Sequence, residues 1–208
     1  MNNEICSYLD YLFPTPVCEL VYNSDYELLI AVVLSAQTTG KRVNSVTKVL
    51  FNKYNSLSLL KQASLVDLEN ILHPLGSFRK KAQYVKEIAR ILDEEYFDVV
   101  PRDRDKLIKF PGVGRKTINV FLSEFYNEQF IAVDTHVERV SKRLGIARKN
   151  DNVFDVEMKI MKKFKGYDFR RLHLQLVLFG RYYCKAIKPI CNNCLLVDYC
   201  IEKRKNLD

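Results

Sequence analysis

The chain has 208 residues, 48% of them apolar, with only 7 Gly and 6 Pro, which allows a buried core and excludes a disordered or low-complexity chain. Lys and Arg number 33 against 25 acids, a net charge of +8. That balance suits a polyanion, nucleic acid or an anionic membrane, and does not choose between them.

Met1-Asn2-Asn3-Glu4 lacks the basic stretch followed by an apolar run that marks a secretory leader. The most apolar stretch, Leu28 to Ala36, is far shorter than the ~20 residues of a membrane span. A cytoplasmic protein without a membrane partner is expected, nucleoid-associated if the source is bacterial. In a reducing compartment the six cysteines are not expected to form disulfides. Cys6 and Cys18 read as ordinary packing cysteines, whereas the other four fall together near the end.

The elements are helical in chain order. Ser24-x-x-Glu27 ahead of Leu28-Leu29-Ile30 reads as a capping box, and Ser64-x-x-Asp67 opens another short helix. After the turn His73-Pro74-Leu75-Gly76, Phe78, Ala82, Val85, Ala89 and Leu92 recur at helical spacing. Beyond Pro101 and Pro111-Gly112-Val113-Gly114, so do Ile118, Phe121, Leu122 and Phe125, and later Leu172, Gln175, Leu176 and Phe179. Sustained strand alternation is absent, so an all-α fold is expected and these stripes are assigned to its core. Lys188-Pro189 is a last turn, in a segment where Cys, Lys and Asn replace the apolar stripe.

Leu107 to Phe110 ends one helical segment, and Arg115 to Phe125 forms the next, with the Gly-rich turn between them. In this helix–hairpin–helix pattern Gly112 and Gly114 permit positive φ and close backbone approach. The following amides, at a helix N-terminus, favour a phosphate oxygen. A plain interhelical turn is the alternative. Lys116 lies in the first turn of the second helix, where the dipole disfavours a positive charge. Partial desolvation there would leave a neutral amine as a nucleophile; the alternative is a solvent-facing lysine.

The apolar run Phe130-Ile131-Ala132-Val133 leads into Asp134-Thr135-His136 and a helix with Val137, Val140 and Leu144. Asp134 fits an N-cap, where amides and dipole favour the carboxylate anion. Facing a reacting sugar, such an anion stabilises oxocarbenium charge; capping alone is the simpler role.

Cys184, Cys191, Cys194 and Cys200 give the spacing C-x6-C-x2-C-x5-C, which implies a metal centre. Zinc sites of four cysteines usually use two C-x2-C pairs, and only one is present, so the spacing favours an iron–sulfur cluster and leaves zinc open. Arg181, Lys185, Lys188, Lys203, Arg204 and Lys205 form a basic rim around it that can meet phosphate.

Together these segments resemble the endonuclease III family of base-excision repair enzymes. The resemblance rests on Leu34-Ser35-Ala36-Gln37-Thr38, Pro111 to Thr117, Ile131 to His136, Gly180-Arg181-Tyr182 and the four cysteines, in family order over nearly the whole chain. It implies a two-lobed helix–hairpin–helix glycosylase fold. A six-helix barrel is expected over residues 18–129, and a lobe of residues 1–17 and 130–208 is expected to hold a 4Fe–4S cluster.

The resemblance further implies a monomer acting on double-stranded DNA with a damaged base or an abasic site. DNA would lie across a cleft with Lys116 and Asp134 at its mouth, Lys116 as nucleophile and Asp134 as electrostatic and proton-handling partner. Gln37 is expected to fill the gap left by a flipped nucleotide. Gly112, Val113, Gly114, Arg115 and His136 are expected on the DNA side, and Cys184, Cys191, Cys194 and Cys200 are expected to hold the cluster. The activity implied is removal of oxidised pyrimidines followed by strand nicking through a lysine Schiff base. Ser77 departs from the family, which usually has a bulky apolar wedge there; either Leu75 or Phe78 supplies it, or the wedge is weaker. An adenine-mismatch glycosylase would generally lack Lys116 and carry a further C-terminal domain, and a non-catalytic DNA-binding module would not need both Lys116 and Asp134.

Overall fold

The computed structural model describes residues 2–207. Regular structure among them is helical throughout: α1 (Asn2–Leu12), α2 (Asp25–Leu34), α3 (Gly40–Lys53), α4 (Leu57–Gln62), α5 (Leu65–Leu72), α6 (Phe78–Glu95), α7 (Arg104–Leu107), α8 (Arg115–Tyr126), α9 (Thr135–Arg143), α10 (Val153–Lys163) and α11 (Phe169–Tyr182). Side chains mark many of the starts. Ser24, Ser56, Ser64, Asp103, Asp134, Asn152 and Asp168 each accept a main-chain N–H two or three residues on. Each satisfies donors that a helix N-terminus otherwise leaves without an intrahelical partner. The Ser24 box is not reciprocal, because the Glu27 carboxylate takes the Asn23 N–H at 2.6 Å rather than that of Ser24.

The chain divides into two compact units, Cys18–Tyr126 and Met1–Val17 with Asn127–Asp208. The first contains α2 to α8, with α7 a single turn. Its centre is α2, whose residues Leu28 to Leu34 are all buried. A helix apolar on every side can only be a core helix, and α2 packs on α3, α6 and α8. The long helix α6 is amphipathic, burying Ala82, Val85, Ile88, Ala89 and Leu92, and packs on α4 and α5 as well. No helix among the described residues is long and apolar enough to cross a membrane.

In the other unit the N-terminal helix α1 packs on α11, and α9 packs on both α10 and α11. Ile5, Leu9, Val137, Val140, Ile160, Phe164, Leu176 and Phe179 share its core. Cys6 is buried there too, and burial pushes its thiol up to about 11. Polar contacts fix the register of α1: Gln175 Nε2 donates to Asp10 Oδ1 at 2.8 Å and to the Phe13 carbonyl at 3.1 Å. Tyr8 meets Phe179 edge-on at 6.1 Å. Residues 127–129 belong to this unit, where Gln129 Oε1 accepts the Phe169 N–H at 3.2 Å. Gly180 allows α11 to approach α9, since a Cβ there would stand 2.8 Å from His136 Cβ.

Candidate functional site

The hairpin links α7 to α8. Gly112 has φ +75°, and a Cβ there would lie 2.6 Å from the Tyr84 ring and 3.0 Å from Val33. Only glycine satisfies both the torsion and the space. Gly114 differs from the sequence expectation: it needs no positive φ, and the space around its Cβ position is open. Val113 is buried, and its N–H donates to the Phe110 carbonyl at 3.1 Å. Its side chain anchors the turn and its amide closes it, so neither faces outward. Arg115 and Lys116 are exposed in the first turn of that helix.

Gln37 sits in the turn between α2 and α3, exposed, with φ +56°. This is an uncommon conformation for a residue with a side chain. Ser77 precedes α6 and is also left-handed, at φ 55° and ψ 34°. Leu75 is buried, which removes it as a wedge in this conformation. Phe78 is half-buried against His73, with ring centroids 4.9 Å apart, and the Arg79 guanidinium lies 4.9 Å from its ring.

In the other unit Asp134 caps α9. Its Oδ1 accepts the N–H groups of His136 and Val137, each at 2.8 Å. Both contacts use one oxygen, and among the described residues no hydrogen bond to Oδ2 is found. His136 is half-buried, with Nδ1 3.2 Å from Arg139 Nη2. A guanidinium only donates, so in the neutral ring the N–H is assigned to Nε2.

Sequence reasoning missed Arg139 and Arg143. Arg139 donates to the carbonyls of Gly180 at 2.7 Å and Cys184 at 3.1 Å. Arg143 donates to the Lys185 carbonyl at 2.7 Å and to Cys184 Sγ at 3.4 Å. The two arginines, one turn apart, therefore tie α9 to the end of α11 and to the loop after it. Two arginines beside the core residues Val140 and Leu144 were the available signal.

Cys184, Cys191, Cys194 and Cys200 line one cavity, with Leu144, Phe179 and Lys205 also in its wall. Among the described residues no three His, Cys, Asp or Glu side chains meet as they would around a single metal ion. Burial pushes the Cys184 and Cys194 thiols up, and Arg143 opposes this at Cys184. A bound cation would reverse the preference and hold thiolates.

Residues 30–166 match the family described as HhH-GPD superfamily base excision DNA repair protein. Endonuclease III of Bacillus subtilis (strain 168) is 46% identical over 194 residues, which cover 93% of this chain and 89% of that protein. A trapped endonuclease III–DNA covalent intermediate with an estranged adenine superposes with a TM-score of 0.91 at 44% identity, covering 97% of this chain and 96% of the other. A thermostable thymine-DNA glycosylase shares the fold, with a TM-score of 0.85 at 21% identity, covering 96% of this chain and 95% of the other.

The two hairpin glycines should behave differently. Gly112→Ala meets both strain and a clash, and should lower stability by roughly 1–3 kcal/mol and weaken DNA binding. Gly114→Ala should leave thermal unfolding nearly unchanged. Melting curves and duplex titrations of the two variants check this, and equal losses would mean the hairpin is not held as described.

Proposed function

From the premise that this chain belongs to the endonuclease III family of base-excision repair proteins, we propose that it excises oxidised pyrimidines and nicks the resulting strand through Lys116. It is a base-excision DNA glycosylase, and strand nicking is the lyase activity of its family. The observation that carries the residue assignment is a pair of prepared helix starts. One presents a lysine directly after a glycine-locked hairpin, and the other fixes a carboxylate with two amides.

In the proposed mechanism the damaged nucleotide leaves the stack, which costs less for a poorly stacked base. Gln37 fills the gap, while Phe78, now the better placed of the two wedge candidates, supports the opened step. Phosphates rest on the first amides of α8 and on Arg115, which position the strand without reading sequence. Lys116 reacts as the free amine, the form that carries a lone pair. Its Nζ bonds to C1′ as the C1′–base bond breaks, and the base leaves with that electron pair and gains a proton. The Asp134 carboxylate acts on the same deoxyribose, stabilising the positive charge that develops there and accepting the proton lost by Nζ.

Opening of the sugar ring breaks the C1′–O4′ bond, protonates O4′ and gives the Schiff base. That cation acidifies the C2′ proton. Its removal expels the 3′ phosphate from C3′ and cuts the strand, and water then releases Lys116. His136, at the cap of α9, offers Nε2–H to the backbone. The whole sequence needs no oxidant or reductant.

The cysteine cavity fits a 4Fe–4S cluster. Four cysteines with a single C-x2-C pair, all lining one cavity, suit an all-thiolate iron–sulfur cluster better than the usual two-pair zinc site. When bound, the cluster would supply a cross-link between the end of α11 and the basic loop after it, with no redox step in the reaction. This chain's residues do the rest: Arg143 steadies the Cys184 sulfur, and the loop after α11 offers the exposed Lys185 and Lys188 to phosphate.

Borohydride should trap a covalent complex between this protein and DNA bearing an abasic site, and Lys116→Ala should abolish it. Undiminished trapping by that variant would remove Lys116 from its role. The purified protein should be yellow-brown, with absorbance near ~400 nm that is lost on removal of the iron. A colourless protein containing zinc would reject the cluster.

A further inference from the structure

Lys81 is a lysine on the apolar face of α6, only 5% exposed. Burial pulls its ammonium down from the ordinary range, and charged side chains are rarely this deep without a specific partner. Its partners lie in one short turn. Nζ donates to the Ala36 carbonyl at 2.9 Å and to Thr38 Oγ1 at 3.2 Å.

These residues flank Gln37. The Thr38 N–H donates to the Ser35 carbonyl at 3.0 Å, so Ser35 to Thr38 form a β-turn with Gln37 in its third position. Gln37 has φ +56° and Ala36 is not in the left-handed region, so the φ signs of the two central residues are those a type II turn requires. Type I and type II differ by a flip of the central peptide, the one that carries the Ala36 carbonyl. In the type II form a residue with a side chain is disfavoured at the third position, where glycine is usual. Lys81 donates to the oxygen whose direction decides between the two.

Simple helix capping does not account for this contact. Three carbonyls of the last turn of α2 are already served from within the turn: Ser35 N–H donates to those of Ala31 and Val32, and Ala36 N–H to that of Val33. Lys81 adds nothing there and acts beyond the helix.

We infer that Lys81 is a positioning residue for lesion recognition: it holds the Ala36 carbonyl so that Gln37 stays left-handed and presents its side chain to the gap left by a flipped nucleotide. Without it the peptide flips, Gln37 relaxes to a right-handed conformation, and its amide points elsewhere. The inference rests on the proposed gap-filling role of Gln37.

The test compares affinity for a duplex containing a tetrahydrofuran abasic analogue with affinity for the same duplex undamaged. Wild type, Lys81→Met, Gln37→Ala and the double variant are measured. Lys81→Met should lower the ratio of the two affinities about tenfold, as expected for a misdirected polar contact. Gln37→Ala should do the same, and the double variant should lose no more than Gln37→Ala alone, because both changes remove one contact. The melting temperature of Lys81→Met should stay level or rise, since methionine removes a buried charge. A role confined to stability would instead lower it and leave the ratio alone. Lys81→Gln, whose shorter amide does not reach Ala36, serves with the same expectation if the methionine variant does not fold. A wild-type ratio for the Lys81 variant beside a reduced one for Gln37→Ala overturns the inference alone, as do losses that multiply in the double variant. An unchanged Gln37→Ala ratio overturns the gap-filling reading and the inference with it.

Discussion

The first turn of α9 is where the unit of residues 1–17 and 127–208 is organised. Asp134 Oδ1 accepts two successive amides, so the carboxylate is held by the helix it starts. The same helix carries Arg139 and Arg143, which satisfy the carbonyls of Gly180, Cys184 and Lys185. The position of the acid, the end of α11 and the path of the loop after it therefore depend on one rigid element. Gly180 is part of that arrangement, because any side chain there would push α11 off α9. A charge fixed in this way does not have to reorganise when positive charge appears on a substrate. A cluster in the cysteine cavity would brace the far end of the same construction.

The other unit positions the groups proposed to meet DNA from α6. Tyr84 fills the space where Gly112 has no side chain, and Lys81 holds the turn that carries Gln37. Residues 81 and 84 are three apart and share a helix face. Phe78 lies at the start of the same helix. One helix thus sets the hairpin, the turn of Gln37 and the wedge candidate in a common frame. Local conformations that most residues avoid, at Gln37 and Ser77, occur at these turns, as expected where backbone strain serves recognition.

Legibility in the sequence followed the range of the interaction. Apolar stripes and caps depend on near neighbours, so α6, α8 and α11 and the starts at Ser24, Ser64 and Asp134 were readable. The cysteine spacing and the Gly-rich hairpin were readable for the same reason. What escaped depends on distant residues. Lys81 and Arg139 resemble surface cations in sequence, and only the packed structure reveals that their partners are carbonyls 45 and 41 positions away. Lys81 did leave a trace, three residues after Phe78 and four before Val85, on the face otherwise given to core residues. Leu75 illustrates the opposite error: an apolar residue in a turn looked available as a wedge, yet it is buried. Gly114 shows that one of two glycines in a motif can be left without a torsional reason.

The account turns on Asp134 being more than a cap. Asn caps a helix about as well as Asp and lacks the charge, so Asp134→Asn separates the two roles. Single-turnover release of thymine glycol from duplex DNA should slow on the order of 10²–10³-fold in this variant, the usual cost of losing one preorganised electrostatic group, while the melting temperature holds. Release at the wild-type rate by a variant of unchanged stability would show that Asp134 only starts a helix, and would contradict the account.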